Sequence, residues 1–397
     1  MKDFYNVPLI ELTAGHIKRH YADFDTTSFI NIASDDIENR ELKDRSNQIF
    51  LALQATLPTD FVQAISILEN TLLPVADNVD LTAINADKNS QNEGLAGWII
   101  MPFTQYVGEL GAKDENKPHL DKSMHVLKAM SKRFTSEFGI RFLLLAHPQE
   151  CLVIMNTWLD DSCHHVRRLI SEGTRPLLPW AMQLPEFKND PHMVMPLLEQ
   201  LRDDDSEYVR RSVANHLNDV AKHHPEFVAD VAERWLKEKL EDKTAGVNRT
   251  RMVKHACRTL LKQGHAKTLS VFGYLPPQDI KVDLKLANTH IKLGEQLEIQ
   301  LEIENVGKSD ANSEKNKNEH HLMLDYVIYH QKANGKLTPK VFKWKTLTLN
   351  AGQKVNLKKT HAIKPITTRK YYAGLHKVAV QVNGKELDMV EFELEVN

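Results

Sequence analysis

Glu137, Glu172 and Trp180 are the residues of this sequence whose types and surroundings could do chemistry. Glu172 lies in the run Asp160–Trp180, DDSCHHVRRLISEGTRPLLPW, four residues after Arg168 and three before Arg175. On a helix these side chains stack along one face, so a carboxylate stands between two guanidinium groups. Neighbouring cations keep a carboxylate ionised, and an ionised carboxylate can stabilise developing positive charge or activate a water. Trp180 adds an aromatic face, which also attracts a cation. Glu137 belongs to TSEFGIR (Thr135–Arg141), where Ser136–Glu137 repeats the pair Ser171–Glu172. The same charge spacing also occurs on ordinary solvated helix faces.

The elements that must position these groups are helices. Val166, Leu169 and Ile170 recur at helical spacing, and Gly173, Pro176 and Pro179 end the helix in a turn that delivers Trp180. Thr135 or Ser136 is expected to cap a helix that Glu137 begins. Its sequel, Phe138, Ile140 and Phe142–Leu145, is apolar nearly all round and predicts burial. The Val-Arg-Arg string at Val166–Arg168 returns at Val209–Arg211, forty-three residues on, and a weaker third copy aligns Val253 with Val213. Helical units recurring at about forty residues predict a HEAT-like array.

The fold expected is therefore multidomain: an all-α HEAT-like solenoid followed by an all-β immunoglobulin-like sandwich. Residues 1–115 read as a helical region, with helices over Asp35–Leu57, Thr59–Leu73 and Trp98–Leu110 and a polar loop over Val75–Gly97. Residues 116–272 read as the array with the active site. Residues 280–397 alternate, as in Leu297, Ile299, Leu301 and Ile303. Asn305–Gly307, Asn334–Gly335 and Asn383–Gly384 supply turns between about seven strands, which predicts a sandwich.

Net charge is only −2, so any nucleic-acid surface must be local. Between Asp325 and Glu386 there is no acidic residue, and that span holds Lys340, Lys343, Lys345, Arg369 and Lys370. In the helical part Arg167, Arg168, Arg175, Arg210, Arg211, Lys254 and Arg258 recur at repeat spacing. Both sets are expected to meet phosphates. The three cysteines and the histidine pairs have no metal-ligand spacing, and no nucleotide-binding glycine motif is present, so neither metal nor cofactor is expected. With no leader-like N-terminus and no membrane-length apolar run, a cytoplasmic monomer away from membranes is expected.

HHVRRLISEGTRPLLPW resembles the signature of the AlkC family of DNA alkylation-repair glycosylases. So do TSEFGIR, DDSEYVRRSVANHLNDVAKHHPE (Asp204–Glu226), DYVIYHQKANGKLTPKVFKWK (Asp325–Lys345) and TTRKYYAGLHKVAVQVNG (Thr367–Gly384). Leu177, where a basic residue is expected, and Gly139 with Phe142 depart from the family's string. The resemblance implies a monofunctional glycosylase acting on double-stranded DNA that carries 3-methyladenine or 3-methylcytosine. It makes Glu137 and Glu172 catalytic and Trp180 a lesion contact, and it agrees with an appended immunoglobulin-like domain. The alternative is a non-enzymatic repeat scaffold that binds nucleic acid or protein.

Overall fold

The computed structural model describes residues 2–74, 93–307, 319–367 and 369–396. Most of the expected Val75–Gly97 loop lies outside them. The chain forms two compact units: Met1–His223 with Leu240–Ala256, and His224–Lys239 with Cys257–Asn397.

The first unit begins with α1 (Val7–His20), α2 (Thr26–Ser34), α3 (Leu42–Thr56) and α4 (Phe61–Asn70). Carboxylate and amide oxygens start three of them: Asn6, Asp25 and Asp60 accept from the backbone N–H groups of Leu9, Ser28 and Gln63 at 3.0, 2.9 and 2.7 Å. The single helix expected over Asp35–Leu57 is shorter at its start. Asp36 takes a left-handed φ of 50°, and α3 starts only at Leu42. Next come α5 (Ile100–Gly111), α6 (Leu120–Ser131), α7 (Ile140–Ala146), α8 (Pro148–Asn156) and α9 (His164–Gly173). The unit continues with α10 (Pro185–Asn189), α11 (Met195–Leu201) and α12 (Glu207–Val220).

Gly139, one of the departures noted above, has a packing reason. A Cβ there would lie 2.2 Å from the Thr104 carbonyl oxygen, and one on Gly108 would lie 2.0 Å from the Gly139 oxygen. The turn before α7 and helix α5 thus meet backbone to backbone, which side chains would prevent.

The chain then crosses into the second unit with α13 (Pro225–Lys237) and returns to the first with α14 (Lys243–Ala256). Within the first unit α9 packs on α12, and α12 packs on α14. The second unit adds α15 (Arg258–Gln263) and α16 (Ala266–Val271), the latter packed on α13.

Eight strands complete that unit: β1 (Ile280–Leu286), β2 (His290–Lys292), β3 (Gln296–Asn305), β4 (His320–Gln331), β5 (Leu337–Leu349), β6 (Lys354–Ala362), β7 (Gly374–Val382) and β8 (Lys385–Glu395). They form two sheets, β1-β3-β6 and β2-β8-β7-β4-β5, antiparallel except where β2 runs parallel to β8. Leu297, Ile299, Leu301 and Ile303 are buried on one face of β3 as the alternation predicts, opposite Leu324, Tyr326, Val378 and Val380 in one apolar core. Asn383 (φ 46°) and Gly384 (φ 79°) make the tight β7–β8 turn. That turn sits against the helices: Asn383 Nδ2 donates to the Leu275 oxygen at 2.7 Å, and a Cβ on Gly384 would lie 2.4 Å from Gly264 Cα.

Candidate active site

The two arginines of each Val-Arg-Arg string have separate uses. Arg167 turns back on the loop before α9, donating to the oxygens of Asp161 (2.7 Å) and Ser162 (3.2 Å). Arg210 does the same before α12, donating to Asp204 and Asp205, the counterparts forty-three residues on. Arg167 also makes a two-point pair with Asp204 at 2.6 and 2.9 Å. The first arginine is thus a loop clamp. The second, Arg168, is the centre of the site.

Arg168 bonds Glu137 directly, reaches Glu172 Oε1 at 3.3 Å and donates to Thr135 Oγ1 at 3.1 Å. Its guanidinium lies over the Tyr208 ring, 5.0 Å from the centroid. Glu172 is also bonded by Arg175 Nη1 at 2.7 Å and by the Ser212 hydroxyl at 2.6 Å. Arg175 continues to Asp219 at 2.8 Å, and Lys222 holds the other Asp219 oxygen at 3.0 Å. Burial pushes the Glu172 carboxyl up, but Arg168, Arg175 and Ser212 outweigh it and hold the group below the usual carboxylate range. Behind it His216 takes its place against the Ser171 oxygen at 3.0 Å, and burial pushes its ring down to about 4. It is neutral at physiological pH.

Glu137 is not the first residue of a helix. It stands in the turn before α7, whose cap is Gly139. Thr135 fixes it there, donating to its carboxylate at 2.8 Å and accepting from its backbone N–H at 3.3 Å. Nor is α7 buried all round: Leu145 is 42% exposed, and Phe142 is half-buried beside a cavity. Arg141, fully buried, explains the polar interruption of this apolar run. It donates to the oxygens of Gly173 (2.9 Å), Arg175 (2.7 Å) and Met182 (2.8 Å), so α7 grips both ends of the turn after α9.

That turn presents Trp180, 76% exposed and held at φ 66°. Lys43 Nζ donates to its carbonyl oxygen at 2.8 Å. Trp180, Phe138, Phe142, Met101 and Met182 line a cavity of about 320 Å³, with Asn47 and Gln105 among its polar groups. Phe138 joins this cavity to Glu137 through the chain. The structure therefore brings Glu137, Glu172, Arg168 and Arg175 into one cluster and puts Trp180 on a separate cavity, which none of those four residues lines.

The other expected phosphate contacts divide. Arg167, Arg168 and Arg175 are engaged inside the protein as above. Arg211 is exposed on α12, and Lys254 and Arg258 are half-buried on α14 and α15, which belong to different units. On the sandwich Lys340, Lys343 and Lys345 are exposed along β5. Lys370 Nζ lies 5.6 Å from the Tyr372 centroid. Arg369 turns inward, bonding His330 Nε2 and covering Tyr371.

Sequence reasoning missed Asp219, Ser212, His216 and Tyr208. Only Ser212 left a signal: it stands where the first repeat has the buried Leu169, a hydroxyl in a core position. Among the described residues no His, Cys, Asp or Glu group is arranged to hold a metal ion, and no helix is long and apolar enough to cross a membrane.

Residues 281–396 match the family described as "Uncharacterised protein YhaZ, C-terminal Ig-like domain". The chain is 32% identical over 396 residues to "Uncharacterized protein YhaZ" of Bacillus subtilis (strain 168), covering 99% of each. It is also similar to the Pseudomonas fluorescens alkylpurine DNA glycosylase AlkC, solved bound to DNA containing an abasic-site analogue. That match has a TM-score of 0.81 and 32% identity, again over 99% of each chain.

Proposed function

This chain belongs to the AlkC family of DNA glycosylases, and from that premise we propose that it excises 3-methyladenine and 3-methylcytosine from duplex DNA. The observation that carries the reading is the pair Glu137–Glu172, held by one guanidinium with both side chains little exposed.

The chemistry follows from the charge of the substrate. An N3-methylated adenine or cytosine is a cation, so when the C1′–N bond breaks its electron pair neutralises the base. No general acid is required. The sugar left behind carries oxocarbenium-like positive charge, which ionised carboxylates stabilise in a low-dielectric site. A water then adds to C1′ and loses its proton to a carboxylate. Glu172 is held ionised by its partners, and Glu137 is the less encumbered of the two. Trp180 offers its face to the cationic base.

The repeated loop clamps of Arg167 and Arg210 support reading α9, α12 and α14 as successive units of a HEAT-like array. Lys340, Lys343, Lys345 and Lys370 of the sandwich are assigned to phosphates of the same duplex.

The test is single-turnover release from matched duplexes carrying 3-methyladenine, 3-methylcytosine, uracil or hypoxanthine. Both cationic bases are released and both neutral ones retained. Efficient uracil release would overturn the charge-based mechanism. Tight duplex binding with no release of any base would leave a scaffold.

A further inference from the structure

The second arginine of the repeated string is Arg168 in α9 and Arg211 in α12, and the third copy puts Arg251 of α14 in the same register. The three have different surroundings. Arg168 is neutralised by two carboxylates. Arg211 and Arg251 are both exposed, and both line one cavity of about 120 Å³ between α12 and α14. Neither has an ion-pair or hydrogen-bond partner for its guanidinium among the described residues.

Ala214 and Met252 supply the apolar part of the lining, and the other residues are polar. Asn248 and His255 come from α14, and the His255 ring is oriented by Asn215, with Nε2 3.1 Å from Oδ1. Glu207, the first residue of α12, is also on the wall but forms no ion pair with either arginine. Arg210 lines it too, though its Nη1 donates to the loop behind. Two guanidinium groups that share a concave space repel each other until an anion enters. Their planar donor forks match the oxygens of phosphate. A carboxylate ligand would meet the same charge but could not use two forks from opposite walls as fully as a tetrahedral oxyanion.

We propose that this cavity is a phosphate subsite, filled by a phosphodiester of the duplex whose damaged nucleotide lies at Glu137 and Glu172. The inference rests on the glycosylase reading and adds to it a division of labour. One position of the repeat arms the carboxylates in α9 and grips the backbone in α12 and α14.

The experiment measures binding of full-length protein to a fluorescent duplex bearing an abasic-site analogue, across a salt series. Arg211→Ala and Arg251→Ala each weaken binding about tenfold, and each makes the log–log salt slope shallower by about 0.9. Arg251→Lys keeps the slope while losing part of the affinity, since it keeps the charge and loses the fork. Glu207→Gln tightens binding by removing a repelling carboxylate. Lys113→Ala, an exposed lysine elsewhere in the unit, is the charge-matched control and changes neither quantity. Circular dichroism melts confirm that all variants fold.

Unchanged slopes in both alanine variants overturn the subsite. A parallel arm titrates inorganic phosphate alone at constant ionic strength. Phosphate that stabilises the wild type but not Arg251→Ala, with no change in duplex slope, would mean a free-phosphate site and overturn the duplex assignment. The two readings fail differently: a wild type that binds with a steep, arginine-dependent slope yet releases no base defeats the glycosylase reading and leaves the subsite standing.

Discussion

Glu137 and Glu172 share one guanidinium, that of Arg168, although they lie on separate segments thirty-five residues apart. The sharing brings two carboxylates onto one cation, Glu137 at Nη1 and Glu172 at Nη2. It also makes them unequal. Glu172 has two further partners, Arg175 and Ser212, and Asp219 in turn holds Arg175, whereas Glu137 has Thr135.

That inequality separates the two glutamine variants. Glu137→Gln is expected to lower single-turnover excision about 100- to 1000-fold while leaving the melting temperature near wild type. Glu172→Gln loses activity as well, but it leaves Arg175 and Arg168 under-compensated in a buried site and costs about 3 kcal/mol of stability. Excision and thermal melts on the same preparations check both. Equal melts for the two variants would show that the buried network does not hold the unit together.

Trp180 has a side chain suited to a cation and a backbone that favours glycine. Trp180→Ala should lose about 0.5–2 kcal/mol of transition-state stabilisation on cationic lesions, and Trp180→Phe less. Trp180→Gly should lose as much activity as alanine while melting no lower than alanine, because the left-handed φ is relieved. A glycine variant that melts below alanine would contradict a strained turn.

The sandwich carries its own pH response. Burial, with Arg369 close by, pushes His330 down to about 3, and burial pushes His361 down to about 4. Both are bases with lowered folded values. Their contribution is fully present above the unfolded value near 6.5 and is lost as pH falls from there toward 4. Asp325 acts oppositely: burial pushes it up to about 6, against Lys343 and Lys262. Protonation in that window therefore favours the fold through one carboxyl and opposes it through two imidazoles. Urea unfolding followed at Trp344, with the other tryptophans replaced, should show stability falling between pH 6.5 and 4. Asp325→Asn should raise stability at pH 7 and steepen that fall. A flat profile would mean the histidines are solvated.

Deleting the chain from Pro277 onward removes partners of helices as well as lysines. Gly264 loses the Gly384 backbone, Leu275 loses Asn383, and α15 loses β5. The truncated protein should bind duplex more weakly with a shallower salt slope. It should also expose hydrophobic dye-binding surface at α15 and α16. Unchanged salt dependence would assign the acid-free lysine span to some other partner.

Much of this was written locally. Helical spacing around Val166 and Val209, strict alternation through Leu297–Ile303, and Asn-Gly turns each act over a few residues, so type and order of elements could be read directly. The approach of Arg168 to Glu172 was legible for the same reason, being one turn of one helix. What spacing could not tell was where an arginine's donors go. Arg167 and Arg168 are adjacent and alike, yet one clamps a loop and the other bridges two carboxylates, because successive helical residues point about 100° apart toward different neighbours. Ser212, Asp219 and Tyr208 reach the site from α12, and Arg141 secures the turn that carries Trp180 from α7; these are contacts between residues thirty-four to forty-four positions apart. Such groups are recruited by packing of one helix on the next. The sequence by itself determined the helices, the strands and the charges; only the tertiary structure decided which charges are neutralised in pairs and which are left facing a cavity.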